Sequence, residues 1–453
     1  MSLRRAGLAL SAAVLTGCSA APSGPQRAAR VVLVSIDTLR WDHVGASRAG
    51  LPLTPSLDAL AAAGVSFDDA LANCTVTRSS HASMLTGLYP WRHGIPDNSG
   101  TLRPEATTAA EHLRDGGVTT AAVVSSFPMR ELTRGFATFH QAFDGHDPNR
   151  ANEPVGSPEA TTKAALDWLR KHRAGPFFLF VHYFPPHGPY TAPERFRLPS
   201  LETPTGAELP VSRVNYEHGA IPAYQRLGEN LDPGLYRARY AAHVRYADHH
   251  LGRLIGALRE MGLYEDAAVI VTSDHGESLG ERGWHFCHGN LTYREQSAVP
   301  LVVKLPGGAR AGTRVAAPVQ GVDLFPTVLE LMGVPAPPGR DGRSLLAALD
   351  GEIPSDRVRF TQSGDAEQLS VVSGAWKFTR VAGKPRYLET GHPRRTLFRL
   401  DRDPAEAENL VDAEALVASR LEDAADRSFT GFGPSQPLDP ATEERLRALG
   451  YVR

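Results

Sequence analysis

Cysteine is scarce in this sequence, with three residues among 453. So few cysteines exclude a fold that depends on a framework of disulfides. A long run of charges of one sign is also missing, and 48 basic against 50 acidic residues leave a formal net charge of -2. The sequence therefore lacks the positive surface typical of nucleic-acid-binding proteins, and we expect no nucleic-acid partner.

The amino terminus has no apolar run long enough to span a membrane, but it has the pattern of an export signal. Arg4 and Arg5 precede the apolar residues 7–14, and Leu15-Thr16-Gly17-Cys18 follows. An ordinary cleaved signal is one interpretation. A cysteine directly after small residues resembles the lipobox of bacterial lipoproteins, which implies that residues 1–18 are a lipoprotein signal with lipidation at Cys18.

This resemblance implies a location in the bacterial cell envelope, anchored to a membrane on its periplasmic side. Ser19, directly after the cysteine, resembles the outer-membrane sorting pattern. Residues 19–29 are rich in Ala, Ser and Pro, a composition that predicts a flexible tether.

Three short apolar runs have the composition of strands buried in a parallel sheet: residues 31–36, 177–184 and 267–272. Each run ends in polar residues, namely Asp37, the turn at His187 and the pair Asp274-His275. The carboxyl ends of parallel strands meet at one edge of a sheet, so we expect these side chains to converge. The pattern predicts an α/β fold with a mainly parallel central sheet flanked by helices.

Three other segments complete the organisation of the chain. Helical spacing of apolar residues predicts an amphipathic helix over 233–261, whose residues 248–250 we expect on a solvated face. Residues 191–235 are proline-rich without periodicity, which predicts a lid over the site. Short alternating runs in 345–453 predict a small antiparallel sheet and a terminal helix.

The segment from Thr77 to Pro90 carries the densest motif: Thr77-Arg78-Ser79-Ser80-His81, followed by Thr86-Gly87. It resembles the signature of the sulfatase family in the alkaline phosphatase superfamily, which is nucleophile-x-Pro-Ser-Arg with Thr-Gly five residues later. Motifs resembling those of the family follow in family order up to the carboxyl terminus. The resemblance implies an alkaline-phosphatase-like sandwich, with a catalytic domain over 30–344 and a carboxyl-terminal subdomain over 345–453.

The residue at the nucleophile position departs from the sulfatases, which oxidise Cys or Ser there to formylglycine. Registering the motif on Thr86-Gly87 places Thr77 at this position, and threonine cannot yield the aldehyde. A rival register uses Cys74, but it misplaces Thr86-Gly87 by three residues. The resemblance is therefore closer to superfamily members that attack with a threonine alkoxide.

Asp37, Asp274 and His275 are similar to metal ligands of the family, and the Thr77 hydroxyl completes a four-coordinate set. One divalent ion there would lower the pKa of the hydroxyl, so that a metal-bound Thr77 is the nucleophile. The mixed nitrogen and oxygen set favours Zn or Mn, and Ca is possible. Many sulfatases have a further acidic or amide ligand where this chain has Thr38.

Five other residues are candidates for catalysis or for binding of the anionic ester substrate: His187, His288, Asn98, His81 and Arg40. One of the two histidines His187 and His288 would bind the anion, and the other would protonate the leaving oxygen; we favour His288 as this acid. Asn98 resembles an anion-contacting asparagine of phosphonate ester hydrolases. His81 and Arg40 are candidates for substrate binding, with an orienting role as the alternative.

The family's Lys-Trp-His anion clamp is missing, because residues 117–126 contain neither Lys nor His. Without formylglycine, a threonine-linked ester must be broken by a second attack at the central atom. Alkyl sulfates resist that route more than phosphoryl esters do, so phosphorus is the favoured centre.

Cys74 and Cys287 both lie beside site segments in the sequence. In an oxidising periplasm they could form a disulfide; two separate buried thiols are the alternative.

The sequence thus predicts a metal-dependent, sulfatase-like hydrolase of phosphate, phosphonate or sulfate esters. A phospho-head-group transferase of the cell envelope and a catalytically silent binding lipoprotein are the alternatives. The natural substrate and the oligomeric state are not encoded in any motif that we recognise.

Overall fold

A computed structural model describes residues 27–143, 145–146, 154–213 and 217–432, together with residues 440 and 444. Cys18 and most of the expected tether lie outside these ranges. Within them, no helix is both long enough and apolar enough to cross a membrane.

The large sheet lies at the centre of the fold. Within the described residues it has eight strands: β1 Arg30–Ile36, β2 Val65–Phe67, β3 Thr119–Val124, β4 Thr138–Gln141, β5 Phe177–Tyr183, β6 Ala267–Thr272, β7 Leu301–Lys304 and β8 Thr313–Val315. Their order is β8-β2-β7-β6-β1-β5-β3-β4. Only β7 runs antiparallel to its neighbours, so the sheet is mostly parallel, as expected.

Helices cover both faces of this sheet. The described helices are α1 Pro55–Ala62, α2 Thr77–Thr86, α3 Pro90–His93, α4 Ala109–Asp115, α5 Pro158–His172, α6 Pro233–Glu260, α7 Arg294–Ser297, α8 Leu324–Leu331, α9 Leu345–Leu349 and α10 Ala415–Ser428. Val31 and Leu33 of β1 pack in one core cluster with α2, α4, α8 and α9. Val32 and Val34 pack in the opposite cluster with α1, α5 and α6. Both faces of β1 are therefore buried, which explains its continuous β-branched sequence.

A second, antiparallel sheet follows at the carboxyl end of the chain. Its strands are β9 Arg359–Gln362, β10 Gln368–Ser373, β11 Trp376–Val381 and β12 Arg395–Arg399, in that spatial order. Phe360 and Phe378 of this sheet share a core with α10 and with Trp91 of α3. The small sheet is therefore packed directly against the main body near α3.

The segment expected to form a lid contains short helical turns rather than long elements. Turns at Glu194–Phe196 and Pro199–Leu201 contact α6. A short strand at Ile221–Pro222 lies against the strand His285–Cys287. This segment therefore contacts α6 and the strand at Cys287, which directly precedes His288.

The prediction that residues 248–250 lie on a solvated helix face is wrong for two of the three. Asp248 is 3% exposed, and its carboxylate accepts hydrogen bonds of 2.9 Å from the backbone N–H groups of Ser56 and Leu57. It thereby satisfies free donors at the amino end of α1. His250 is buried and lies within 3.0 Å of the Thr162 hydroxyl, whereas His249 is exposed.

Candidate active site

The site begins where β1 ends, at Asp37 and Thr38. Asp37 is fully buried, and its N–H donates to the Tyr183 carbonyl on the neighbouring strand. Thr38 has a positive φ of 58°, a conformation that a β-branched residue rarely adopts. The Tyr240 hydroxyl holds it there by donating to the Thr38 carbonyl at 2.7 Å, and the Thr38 N–H donates to Asp274 Oδ1 at 3.1 Å. This strained turn links the end of β1 to the end of β6.

Asp274 and His275 follow β6 and face Asp37. Oxygen or nitrogen atoms of these three side chains all lie within 4.8 Å of one another. His275 Nδ1 donates to the Gly276 carbonyl at 2.9 Å, so in the neutral ring Nε2 is the nitrogen that carries the lone pair. This Nε2 lies 3.4 Å from Asp274 Oδ2 and 4.0 Å from Asp37 Oδ1.

The donor set fits a divalent metal ion. Within the described part of the chain, neither Asp274 Oδ2 nor His275 Nε2 makes a hydrogen bond, although both are buried. A buried carboxylate oxygen facing an imidazole lone pair is unfavourable unless a cation lies between them. Two carboxylates and an imidazole are suitable ligands for such a cation.

Thr77 is the first residue of α2 and is 1% exposed. The backbone N–H groups that begin a helix have no partner within it and favour an anion. The N–H of Arg78 is one of them, and it donates to Asn98 Oδ1 at 2.8 Å. The Ser80 hydroxyl donates to the Asp274 carbonyl at 2.7 Å and so fixes the amino end of α2 against the turn of Asp274 and His275.

His81 and Arg40 are engaged with protein groups rather than open to a ligand. Burial lowers the pKa of His81 to about 3, so its ring is neutral. Its Nδ1 donates to the Thr77 carbonyl at 2.7 Å, and its Nε2 lies 2.8 Å from the Ser35 hydroxyl. The Arg40 guanidinium pairs with Asp42 and Glu281, each at 2.7 Å. For both residues the contacts favour the orienting alternative over substrate binding.

His187 and His288 lie beside the metal-ligand cluster. The His288 ring centroid is 4.4 Å from that of His275 and 5.0 Å from that of His187. Glu277, which is fully buried, accepts from His288 Nδ1 at 3.1 Å and from the Tyr190 hydroxyl at 3.2 Å. The carboxylate thus fixes the ring through Nδ1 and leaves Nε2 as the nitrogen available for proton transfer.

Glu277 and His182 lie at the site but were not among the residues predicted from the sequence. His182 is fully buried in β5, and its Nε2 lies 3.4 Å from Asp37 Oδ2. Burial lowers its pKa to about 4, so this ring is also neutral. A single imidazole in the otherwise apolar or aromatic run Phe177–Tyr183 was the signal that could have identified it.

Ser125 lies at the end of β3, in the segment where the family's anion clamp was expected. Its hydroxyl donates to the His182 carbonyl at 2.5 Å. Burial lowers the pKa of the Arg78 guanidinium to about 10. That guanidinium bonds the carbonyls of Pro128 and Gly100 and so fixes the loop after β3. Residues 117–126 therefore supply the Ser125 hydroxyl to His182 and contain no lysine.

Cys74 and Cys287 are separate buried thiols, which is the second of the two alternatives considered from the sequence. Cys74 Sγ contacts the carbonyls of Pro96 and Ser363, whereas Cys287 packs in the cluster around Trp284. Burial raises the pKa of the Cys74 thiol to about 12. A thiol that stays protonated is a poor nucleophile, which argues against the rival register on Cys74.

The mostly parallel sheet has a buried cluster of two carboxylates and an imidazole at its strand ends, and this cluster is a candidate metal centre in an α/β enzyme fold. Residues 29–334, more than half of the chain, match the model of the sulfatase family. The chain therefore belongs to the sulfatase family, within the alkaline phosphatase superfamily.

Named relatives cover most of the chain. It is 27% identical over 489 aligned positions to the multifunctional alkaline phosphatase superfamily protein PehA of Trinickia caryophylli, covering 86% of this chain and 92% of the relative. It is 26% identical to choline-sulfatase of Rhizobium meliloti, covering 84% and 82%. The crystal structure of the phosphonate monoester hydrolase of Agrobacterium radiobacter superposes with a TM-score of 0.67 at 23% identity, covering 88% and 95%. This last likeness establishes the fold.

Proposed function

We propose that the protein is a metal-dependent hydrolase that cleaves phosphodiesters and phosphonate monoesters, with Thr77 as the nucleophile. The observation that carries the proposal is Thr77 at the start of α2, fixed by Ser80 to the turn of Asp274. Asp37, Asp274 and His275 would hold the ion. When bound, a divalent ion supplies charge that lowers the pKa of a nearby hydroxyl and stabilises the anionic transition state.

The proposed reaction consists of two successive displacements at phosphorus. Thr77 Oγ, having lost its proton to solvent, forms a bond to phosphorus while the bond to the leaving oxygen breaks. His288 Nε2–H gives its proton to that oxygen, and Glu277 stabilises the ring beforehand. In the second displacement water attacks phosphorus and gives its proton to His288. The Thr77–phosphorus bond then breaks, and Thr77 regains a proton.

Two observations narrow the substrate class. His81 is neutral where sulfatases carry arginine, and Ser125 stands in the segment where they carry the clamp lysine. The resulting loss of positive charge disfavours doubly charged phosphate monoesters. A threonine ester of sulfate would resist the second displacement, which disfavours sulfates. Phosphodiesters and phosphonate monoesters carry one charge and are attacked at phosphorus, so they satisfy both conditions.

Matched p-nitrophenyl esters test this substrate class. We expect kcat/KM for a methyl phosphodiester and a phenylphosphonate to exceed that for the phosphate monoester and the sulfate by at least about 100-fold, which corresponds to about 2.7 kcal/mol of transition-state binding. Metal-loaded protein lacking residues 1–18 is the sample. Sulfate turnover equal to that of the diester would contradict the proposed centre.

His288→Gln tests the proposed general acid. The loss in kcat should be about 10² to 10⁴-fold for an alkyl leaving group, which needs a proton, and much smaller for p-nitrophenolate, which does not. His250→Gln is a matched control, because His250 is also a buried imidazole but bonds Thr162 and Glu159. An equal loss with both leaving groups would assign His288 to another role.

We further propose that the mature protein is anchored to the cell envelope through a lipid on Cys18. The pattern of residues 1–18 supports this proposal. Labelled fatty acid should be incorporated into the wild-type protein in a bacterial host and not into Cys18→Ala. Release of wild-type protein as a soluble, unlabelled chain would contradict the anchor.

A further inference from the structure

His182 lies in the middle of the sheet, with its carbonyl oxygen bonded to the Ser125 hydroxyl. Because the Ser125 proton is used in that bond, its oxygen can only accept from His182 Nδ1, which lies 3.4 Å away. His182 therefore carries its proton on Nδ1. The lone pair is on Nε2, which points to Asp37.

The contact between His182 and Asp37 is unfavourable without a cation. His182 Nε2 is 3.4 Å from Asp37 Oδ2 and, among the described residues, makes no hydrogen bond. A lone pair and a carboxylate oxygen both attract cations and repel each other. Both side chains are fully buried, so the protein holds this pair away from bulk water.

His275 shows the same arrangement at the other carboxylate oxygen of Asp37. Its Nδ1 proton is bound by a backbone carbonyl, and its Nε2 faces carboxylate oxygens. The two rings thus approach different oxygens of one carboxylate, Oδ2 for His182 and Oδ1 for His275. Outer-shell bonds of this type at Nδ1 are typical of metal-ligating histidines.

Both ring nitrogens of His81, in contrast, are used in hydrogen bonds with protein groups. It forms a geometrically possible group with His182 and Asp274, whose ligand atoms lie within 4.8 Å. However, its Nδ1 must keep a proton to donate to the Thr77 carbonyl, and its Nε2 is occupied by Ser35. His81 therefore has no lone pair to offer a metal at Asp274.

We propose that His182 is a further protein ligand of the metal centre, through Nε2. The inference rests on the metal centre of the proposed function and adds an imidazole that lies 3.4 Å from Asp37 Oδ2 and has a ring nitrogen within 4.8 Å of an Asp274 carboxylate oxygen. Thr38, where related enzymes carry a carboxylate or amide, offers only a hydroxyl. Replacing an oxygen ligand with nitrogen shifts the preference of the centre from Ca²⁺ towards Zn²⁺ and Mn²⁺.

The number of coordinating imidazoles tests the proposal directly. With Cu²⁺ as the probe, pulsed electron paramagnetic resonance detects the remote nitrogen of each bound imidazole. We expect two imidazoles in the wild-type protein and one in each of His182→Ala and His275→Ala. His250→Gln, which removes a buried histidine outside the site, should retain two.

Binding of Zn²⁺ by calorimetry provides a second readout. Loss of an outer-shell partner weakens metal binding by about 10 to 100-fold, so loss of a direct ligand in His182→Ala should weaken it by at least about 100-fold. Ca²⁺ binding should change less. One imidazole in the wild-type protein would overturn the role of His182 and leave the metal centre intact; failure to bind any divalent ion would overturn both. The wild-type count decides the question even if His182→Ala does not fold.

Discussion

Thr77→Val is expected to lower kcat on phosphodiester substrates by at least about 10⁴-fold, the scale of loss when a nucleophile is removed. Valine keeps the β-branched shape of threonine at the first position of α2 and removes only the hydroxyl oxygen. The proposed first displacement then has no attacking atom. Single-turnover kinetics with metal-loaded protein would measure the loss without interference from product release.

Two further variants distinguish the loss of the Thr77 hydroxyl from a structural change in α2. Thr77→Ser keeps a hydroxyl at the same position and should retain measurable turnover. Thr86→Val alters the last threonine of the same helix, whose hydroxyl donates to the Ala82 carbonyl, and should leave kcat within about tenfold of wild type. Full activity in Thr77→Val would reject threonine as the nucleophile.

Removal of the metal is expected to abolish turnover and also to destabilise the fold. Stripping the protein with a chelator leaves the buried Asp274 carboxylate and His275 Nε2 facing each other across 3.4 Å. Metal present at about 1,000 times its Kd stabilises the native state by about 4 kcal/mol, and this stabilisation is lost with the ion. Thermal unfolding with and without Zn²⁺ measures the loss, and Zn²⁺ or Mn²⁺ should restore activity.

In Asp274→Asn, added Zn²⁺ or Mn²⁺ should not restore activity, because an amide has no negative charge to attract the ion. Asp248→Asn is the matched control: Asp248 is equally buried but bonds the amino end of α1 instead of the site. It should bind metal as the wild type does. A chelated protein that keeps its activity and its unfolding temperature would contradict the metal centre.

The strands that position the site could be predicted because their local sequence and their burial agree. Residues 30–36 form a strand covered on both faces, and a run of β-branched residues suits only that environment. The convergence of the Asp37, Asp274 and His275 segments followed from the topology of parallel sheets. The helix predicted over 233–261 was confirmed as Pro233–Glu260 because its apolar spacing is regular.

The contacts that depend on distant residues could not be predicted. Asp248 is buried because α1 places free N–H groups against it, and no local pattern on α6 contains that information. The partners of His182, namely Asp37 and Ser125, come from two other strands. Cys74 and Cys287 are neighbours of site segments in the sequence, yet their side chains pack in different surroundings.

Identification of the residue that carries the covalent intermediate would test the role of Thr77 as nucleophile. Metal-loaded protein turning over an aryl phosphonate ester would be quenched in acid, digested and mapped by mass spectrometry. We expect a phosphonyl group on the peptide containing Thr77, absent in Thr77→Val and present in Thr86→Val. The same group on Cys74 would rule out Thr77 as the nucleophile, as would rapid turnover with no modified peptide.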